Sequence, residues 1–190
     1  MNEREKNFKI LITGPPGSGK STLIIRLISF LTERGQKIKG FLTPEVRISN
    51  KRIGFNLEDI ETKQQLTLAR VGGKSTKYRV GRYNVFLENL DNYIEKLKID
   101  EKESTDVFII DEIGKMELLS KKFRVFLKNV FISEYNVIAT IGLNVKHSIQ
   151  EIISKIQDIQ YYTLNINNRR EIFNRITSYL EVWLKGKRIK

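Results

Sequence analysis

Residues 13–27, TGPPGSGKSTLIIRL, set a glycine-rich turn between two apolar segments of different period. Gly14, Gly19, Lys20 and Ser21 satisfy the pattern GxxxxGK followed by Ser or Thr, and each position has a physical task. The glycines let the backbone curl with its N–H groups aimed at a β-phosphate, and the helix that follows adds the positive end of its dipole. Lys20 would reach the β- and γ-phosphates, and Ser21 would ligate Mg²⁺. Pro15 and Pro16 lack N–H groups and would stiffen the approach. Donation then falls to Gly17, Ser18, Gly19, Lys20 and Ser21, with Thr22 completing the phosphate-binding set.

The motif counts only where a strand feeds it and a helix leaves it. Residues 8–13, FKILIT, read as a short, nearly continuous apolar strand of a parallel sheet. Beyond Lys20, Leu23, Ile24, Leu27, Ile28 and Leu31 recur at helical spacing, and Gly35 stands where a glycine would end a helix over 20–34. A plain Gly/Pro turn is the competing explanation, and both flanks argue against it. A second GKST, at residues 73–76, fails the same test. Leu68 occupies the position that needs the opening glycine, and TKYRVGRYNV reads as a turn and an extended run, so this copy is expected to be a basic loop.

A chain of 190 residues with 40% hydrophobic and 29% charged residues has the composition of one globular domain spanning 1–190. It contains no cysteine, which excludes disulfides and thiolate metal sites and suits a reducing cytoplasm. The N-terminal residues MNEREKNFKI carry no secretory apolar core, and Arg26 and Ser29 interrupt the apolar stretch after Lys20. No membrane partner is therefore expected, and a monomer or small oligomer is. The net charge of +12 invites a polyanion. Lys63, Arg70, Lys74, Lys77, Arg79 and Arg82 concentrate it, with Tyr78 and Tyr83 interleaved, as does the terminal LKGKRIK. No recognised nucleic-acid motif accompanies that charge, and a solvated lysine-rich surface of thermophile type also explains it, so a nucleic-acid partner is possible but not favoured.

Strands and helices alternate along most of the chain, predicting right-handed crossovers and a mostly parallel sheet. Residues 37–87 break the alternation and read as an antiparallel, strand-rich arm, with KIKGFLT and RIGFNLED joined around 44–50. Helices are expected near 90–97, over KKFRVFLKNVF, over SIQEIISKI and over 169–184, with strands at YNVIATIG and YYTLNI. The strand Val107, Phe108, Ile109, Ile110 ends in two carboxylates, Asp111 and Glu112. In a parallel sheet that tip opens on the same edge as the phosphate loop. Asp111 would then hold Mg²⁺ through a water while Ser21 binds it directly, and Glu112 is the candidate base or water-positioning group. An acidic N-cap to the following turn is the alternative for both. Adjacent strand residues point to opposite faces, so Glu112 reaches the water only if the backbone turns at once.

With DEIGKMEL the sequence becomes more specific. Together with GPPGSGKST, GFLTPEVR, RIGFNL, YRVGRYNV and NNRREI, it resembles the thermophile and cancer-related nucleoside-triphosphatase family from about residue 10 to 172. The resemblance implies an α/β, RecA-like P-loop fold, and slow Mg²⁺-dependent hydrolysis of ATP, GTP and other nucleoside triphosphates with broad base tolerance. It also implies roles for Lys20, Ser21, Asp111 and Glu112 like those above. Arg47, in a loop with Glu45, could neutralise γ-phosphate charge or be a solvated turn residue. Thr140 could sense the γ-phosphate or be an ordinary strand residue. Asn168 and Arg169 match a late Asn-Arg pair that would touch base or ribose, with helix capping the alternative for Asn168. Lys115 and the single histidine, His147, are read as surface groups. Phe86 and Arg170 depart from the family, which has acids there, so any partner contact made through those acids is not carried over.

Two other functions use the same loop: a nucleotide or nucleoside kinase, and a nucleotide-gated nucleic-acid-binding ATPase working through the basic arm. No arginine-rich lid insertion is evident for a kinase, and the Asp-Glu pair favours water as the nucleophile.

Overall fold

The computed structural model describes residues 7–73, 75–97, 105–143, 145, 149, 153, 156 and 159–187. Strand β1 (Lys9–Thr13) leads through the glycine turn into α1 (Lys20–Thr32). Strand β2 (Ile38–Leu42), β3 (Glu45–Ile48), β4 (Lys51–Asp59), β5 (Gln65–Val71), β6 (Tyr78–Val80) and β7 (Tyr83–Val85) follow before α2 (Leu87–Lys96). Strand β8 (Val107–Ile113), a 3₁₀ turn (Glu117–Leu119), α3 (Lys121–Ile132), β9 (Asn136–Ile141), β10 (Ile159–Thr163) and α4 (Arg169–Lys187) complete the described chain. The helix expected over SIQEIISKI and His147 lie outside the described residues, apart from Ile149, Ile153 and Ile156 of that segment.

The strands form one ten-stranded sheet in the order β10-β1-β9-β8-β2-β4-β5-β7-β6, with β3 on β4. Strands β10, β1, β9, β8 and β2 pair in parallel, and every pairing from β4 onward is antiparallel. Strand β2 therefore belongs to the parallel half, and the antiparallel arm is shorter than the 37–87 expected from sequence. Side-chain alternation sorts the core into two layers. Ile10 and Ile12 of β1, Val107 and Ile109 of β8 and Ile138 of β9 pack against Leu23, Ile24 and Leu27 of α1 and Ile172 and Ile176 of α4. Leu11, Phe108, Ile110, Val137 and Ala139 face the opposite way, onto Leu90 and Tyr93 of α2 and Phe123, Phe126 and Leu127 of α3.

Helix ends follow local chemistry. Helix α1 stops two residues short of the expected Arg34. Gly35, at φ 73°, donates to Thr32 O while Gln36 N–H reaches Leu31 O, the paired bonds of a Schellman close. Helix α3 starts at Ser120, whose hydroxyl accepts from Phe123 N–H at 2.9 Å. The buried ammonium of Lys9 donates to Val130 O, Ser133 O and Tyr135 O, meeting carbonyls at the end of that helix. Residues 44–50 are not a plain connection: β3 and β4 form a hairpin whose turn residues, Ser49 and Asn50, have φ 47° and 62°. Two consecutive positive φ values match the twist of the flanking strands.

Candidate active site

The loop after β1 wraps a cleft of about 910 Å³ at the carboxyl ends of the parallel strands. Gly14, Pro16, Gly17, Gly19, Lys20, Ser21 and Thr22 line it, and Pro15 does not. At Gly14 a Cβ would stand 2.2 Å from Leu164 O, so no side chain fits there. Gly19 has φ 101° and precedes α1 with no side-chain cap and no acid in the first turn. The orphan N–H groups of α1 are thus left to an anion. Lys20 Nζ donates to Gly14 O at 3.0 Å and Pro15 O at 3.4 Å. Ser18 is buried, at 1% exposure, and its hydroxyl has no partner among the described residues.

Arg169 lines the cleft and braces the loop. Its Nε donates to Ser18 O at 2.6 Å and its Nη2 to Gly17 O at 2.7 Å, turning those carbonyls toward α4. Asn168 does not line the cleft; its side chain accepts from Asn165 N–H and donates to Thr163 O, tying the β10–α4 connection. Its carbonyl starts α4 by accepting from Ile172 N–H.

The acidic strand resolves the difficulty of adjacent side chains. Strand β8 runs to Ile113, three residues beyond the expected end, and its register with β9 shifts between Ile110 and Ile113. Ile113 consequently packs in the same layer as Phe108 and Ile110, although strict alternation would put Glu112 there. The extra residue turns Glu112 into the cleft beside Asp111, and both line it. Neither caps a helix, since α3 is capped by Ser120.

Asp111 is 3% exposed and accepts from the hydroxyls of Thr140 and Ser21. Burial raises its pKa, against those hydrogen bonds and the charge of Lys20. Thr140 is buried, outside the cleft lining, so its hydroxyl orients Asp111. Burial also raises the pKa of Glu112, opposed by Lys20 and reinforced by Asp111. A hydroxyl and a carboxylate in contact beside an open phosphate site are hard oxygen donors that suit Mg²⁺, which keeps waters and takes few protein ligands. No group of three or more His, Cys, Asp or Glu able to hold a metal occurs among the described residues.

Sequence reasoning missed Arg26, Arg52 and Phe55 in the lining, and the burial of Glu117. Glu117, 4% exposed, lies behind Glu112: a Cβ on Gly114 would stand 2.6 Å from Glu117 Oε2 and 3.2 Å from Glu112 Oε1. Burial, with the charges of Glu112 and Asp111, pushes its pKa up to about 8. On the hairpin, Arg47 sits in strand β3 and not in a loop, directly across from Arg52. Like charges in that register repel. Glu45 separates them, accepting from Arg47 Nε at 2.8 Å and from Arg52 Nη1 at 2.6 Å. Burial pushes Glu45 up, but the hydrogen bonds from Arg52 and Arg47 outweigh it and hold its pKa below the ordinary value. Arg52 also donates to Tyr83 Oη at 3.0 Å. Glu45, Arg47, Arg52, Phe55 and, from α1, Arg26 all line the cleft. Recognising the Ser49-Asn50 turn would have fixed the Arg47–Arg52 register. Lys115 is exposed and away from the lining.

The sequence pattern of the NTPase family matches residues 9–177. Nucleoside-triphosphatase THEP1 of Methanocaldococcus jannaschii is 39% identical over 180 residues, 94% of this chain and 100% of that protein. THEP1 of Thermotoga maritima is 42% identical over 177 residues, 92% of this chain and 96% of its own. The crystal structure of THEP1 from Aquifex aeolicus aligns with a TM-score of 0.73 at 34% identity, covering 92% of this chain and 99% of the other. The solution structure of a human cancer-related nucleoside triphosphatase aligns at 0.78 and 28% identity, covering 92% and 98%. A match of this length, carried through the phosphate loop and the acidic strand alike, makes the chain a member of the NTPase family.

Proposed function

We propose that the chain hydrolyses nucleoside triphosphates, ATP and GTP among them, to diphosphate and phosphate, with Glu112 aiming the water and Mg²⁺ held by Ser21 and, through a water, by Asp111. The bulge that brings Glu112 into the cleft beside Asp111, within the field of Lys20, carries this assignment. Mg²⁺, when bound, supplies positive charge to the phosphate oxygens. The loop N–H groups and Lys20 hold the β- and γ-phosphates in place. Glu112 accepts a proton from the water as its oxygen bonds to the γ-phosphorus and the bond to the bridging β–γ oxygen breaks. Its raised pKa suits that task, because a stronger base takes the proton more readily. Arg47 and Arg52 add positive charge from the arm. Arg169 contributes by shaping the loop. No helix among the described residues is long and apolar enough to cross a membrane, and a cytoplasmic setting suits a cysteine-free chain.

Phosphate release from ATP is the test: with Mg²⁺ alone, with a chelator, and with added nucleosides, RNA or DNA. Unstimulated release that the chelator abolishes is the expected result. Phosphate appearing on a nucleoside would make the chain a kinase, and release seen only with polynucleotide would make it a nucleic-acid-gated ATPase.

A further inference from the structure

Among the groups that line the cleft, Arg26 serves neither the phosphate loop nor the acidic strand. It stands on α1 one turn beyond Thr22, about 6 Å farther along the helix axis. Its guanidinium carbon lies 3.7 Å from the centroid of the Phe173 ring. Phe173 belongs to α4, one turn after the Arg169 that braces Gly17 and Ser18. Helices α1 and α4 are joined through the core layer containing Ile24, Leu27, Ile172 and Ile176. The phosphate loop, its brace and the Arg26–Phe173 stack therefore form one packed unit. Arg26 is exposed and Phe173 half-buried, so the ring backs the guanidinium while the guanidinium borders the cleft.

We infer that Arg26, supported by Phe173, is the stacking platform for the nucleobase of the bound nucleotide. The inference rests on the phosphate placement proposed above. A guanidinium is planar, delocalised and weakly hydrated, and it stacks on π faces. With one face on Phe173, its plane is set before a base arrives, so little rotamer freedom remains to be lost on binding. Every base has a π face, so stacking favours purines and pyrimidines alike, whereas hydrogen-bond readout would discriminate among them.

The test compares dissociation constants of the full chain for non-hydrolysable analogues of ATP, GTP, CTP and UTP with those for inorganic tripolyphosphate, all with Mg²⁺. The ratio of nucleotide to tripolyphosphate affinity isolates what base and ribose add. Arg26→Lys keeps the charge and removes the plane. It is expected to lower that ratio about tenfold for all four bases, with tripolyphosphate affinity changed less than about twofold. Phe173→Leu keeps an apolar support without the ring and should lower the ratio in the same sense by a smaller factor. An unchanged ratio in Arg26→Lys overturns the platform, as does a loss confined to one base. Failure of the underlying phosphate placement looks different: Lys20→Ala would then leave tripolyphosphate affinity intact, and that result overturns both assignments.

Discussion

Around the loop after β1, the groups offered to a nucleotide are mainly backbone N–H vectors, set by glycine conformations and braced by Arg169. On the β3–β4 hairpin they are long side chains, Glu45, Arg47 and Arg52, tied to one another, to Tyr83 and to Asn50 O. The first arrangement is rigid and partly buried. The second is solvent-facing, with side-chain exposures of 36–53% across its ion pairs, where salt screens the interaction. Binding strength should therefore reside in the parallel half, and the arm should modulate charge at the reacting end.

The contrast is broken most directly at Glu112. Glu112→Gln is expected to slow phosphate release by about two to four powers of ten, while nucleotide affinity measured by titration calorimetry stays within a few-fold of wild type. A wild-type rate would remove Glu112 as the base and move attention to Glu117 or Glu45. The next effect is on stability. Glu117 keeps its proton in the folded chain up to about pH 8, against a reference of 4.5. Between those values the unfolded chain releases a proton that the folded chain retains, so stability falls as pH rises through this window and levels off above it. Urea titrations of nucleotide-free protein at pH 5 and pH 8 should show a loss on the order of 2–4 kcal/mol that is missing in Glu117→Gln. Equal pH dependence in the two proteins would deny Glu117 its raised pKa.

The arm is expected to respond more weakly. Arg47→Ala and Arg52→Ala should each lower turnover about ten- to a hundredfold, below the range of a lone arginine finger because the other guanidinium remains. The double variant should lose more than the product of the singles, as befits two groups that back each other up. Raising salt should shrink these effects more than it shrinks the effect of Glu112→Gln. Equal salt sensitivity would erase the distinction between the two halves.

That division also governs what the sequence revealed. The phosphate loop is written in residue types at fixed spacing, so Gly14, Gly19, Lys20 and Ser21 could be read directly. Strand β1 and helix α1 followed from apolar periodicity, and α3 from KKFRVFLKNVF. Asp111 and Glu112 were legible as a pair, but the bulge that unites them was not, because one extra residue in a ladder leaves no mark on composition. Arg47 was visible, whereas its partner Arg52 depends on the register of a hairpin whose Ser-Asn turn lacks the usual glycine. The burial of Glu117 was not legible, because tertiary packing over Gly114 creates it. Thr140 and Arg169 likewise took their contacts from strands and loops distant in sequence.

One of those distant contacts has a consequence for biogenesis. Arg169 follows Ser18 by 151 residues. A nascent chain therefore carries every letter of the phosphate motif long before the guanidinium that clamps its carbonyls has been synthesised. Until α4 docks, the early segment has the composition of the loop without the brace that Arg169 gives its carbonyls.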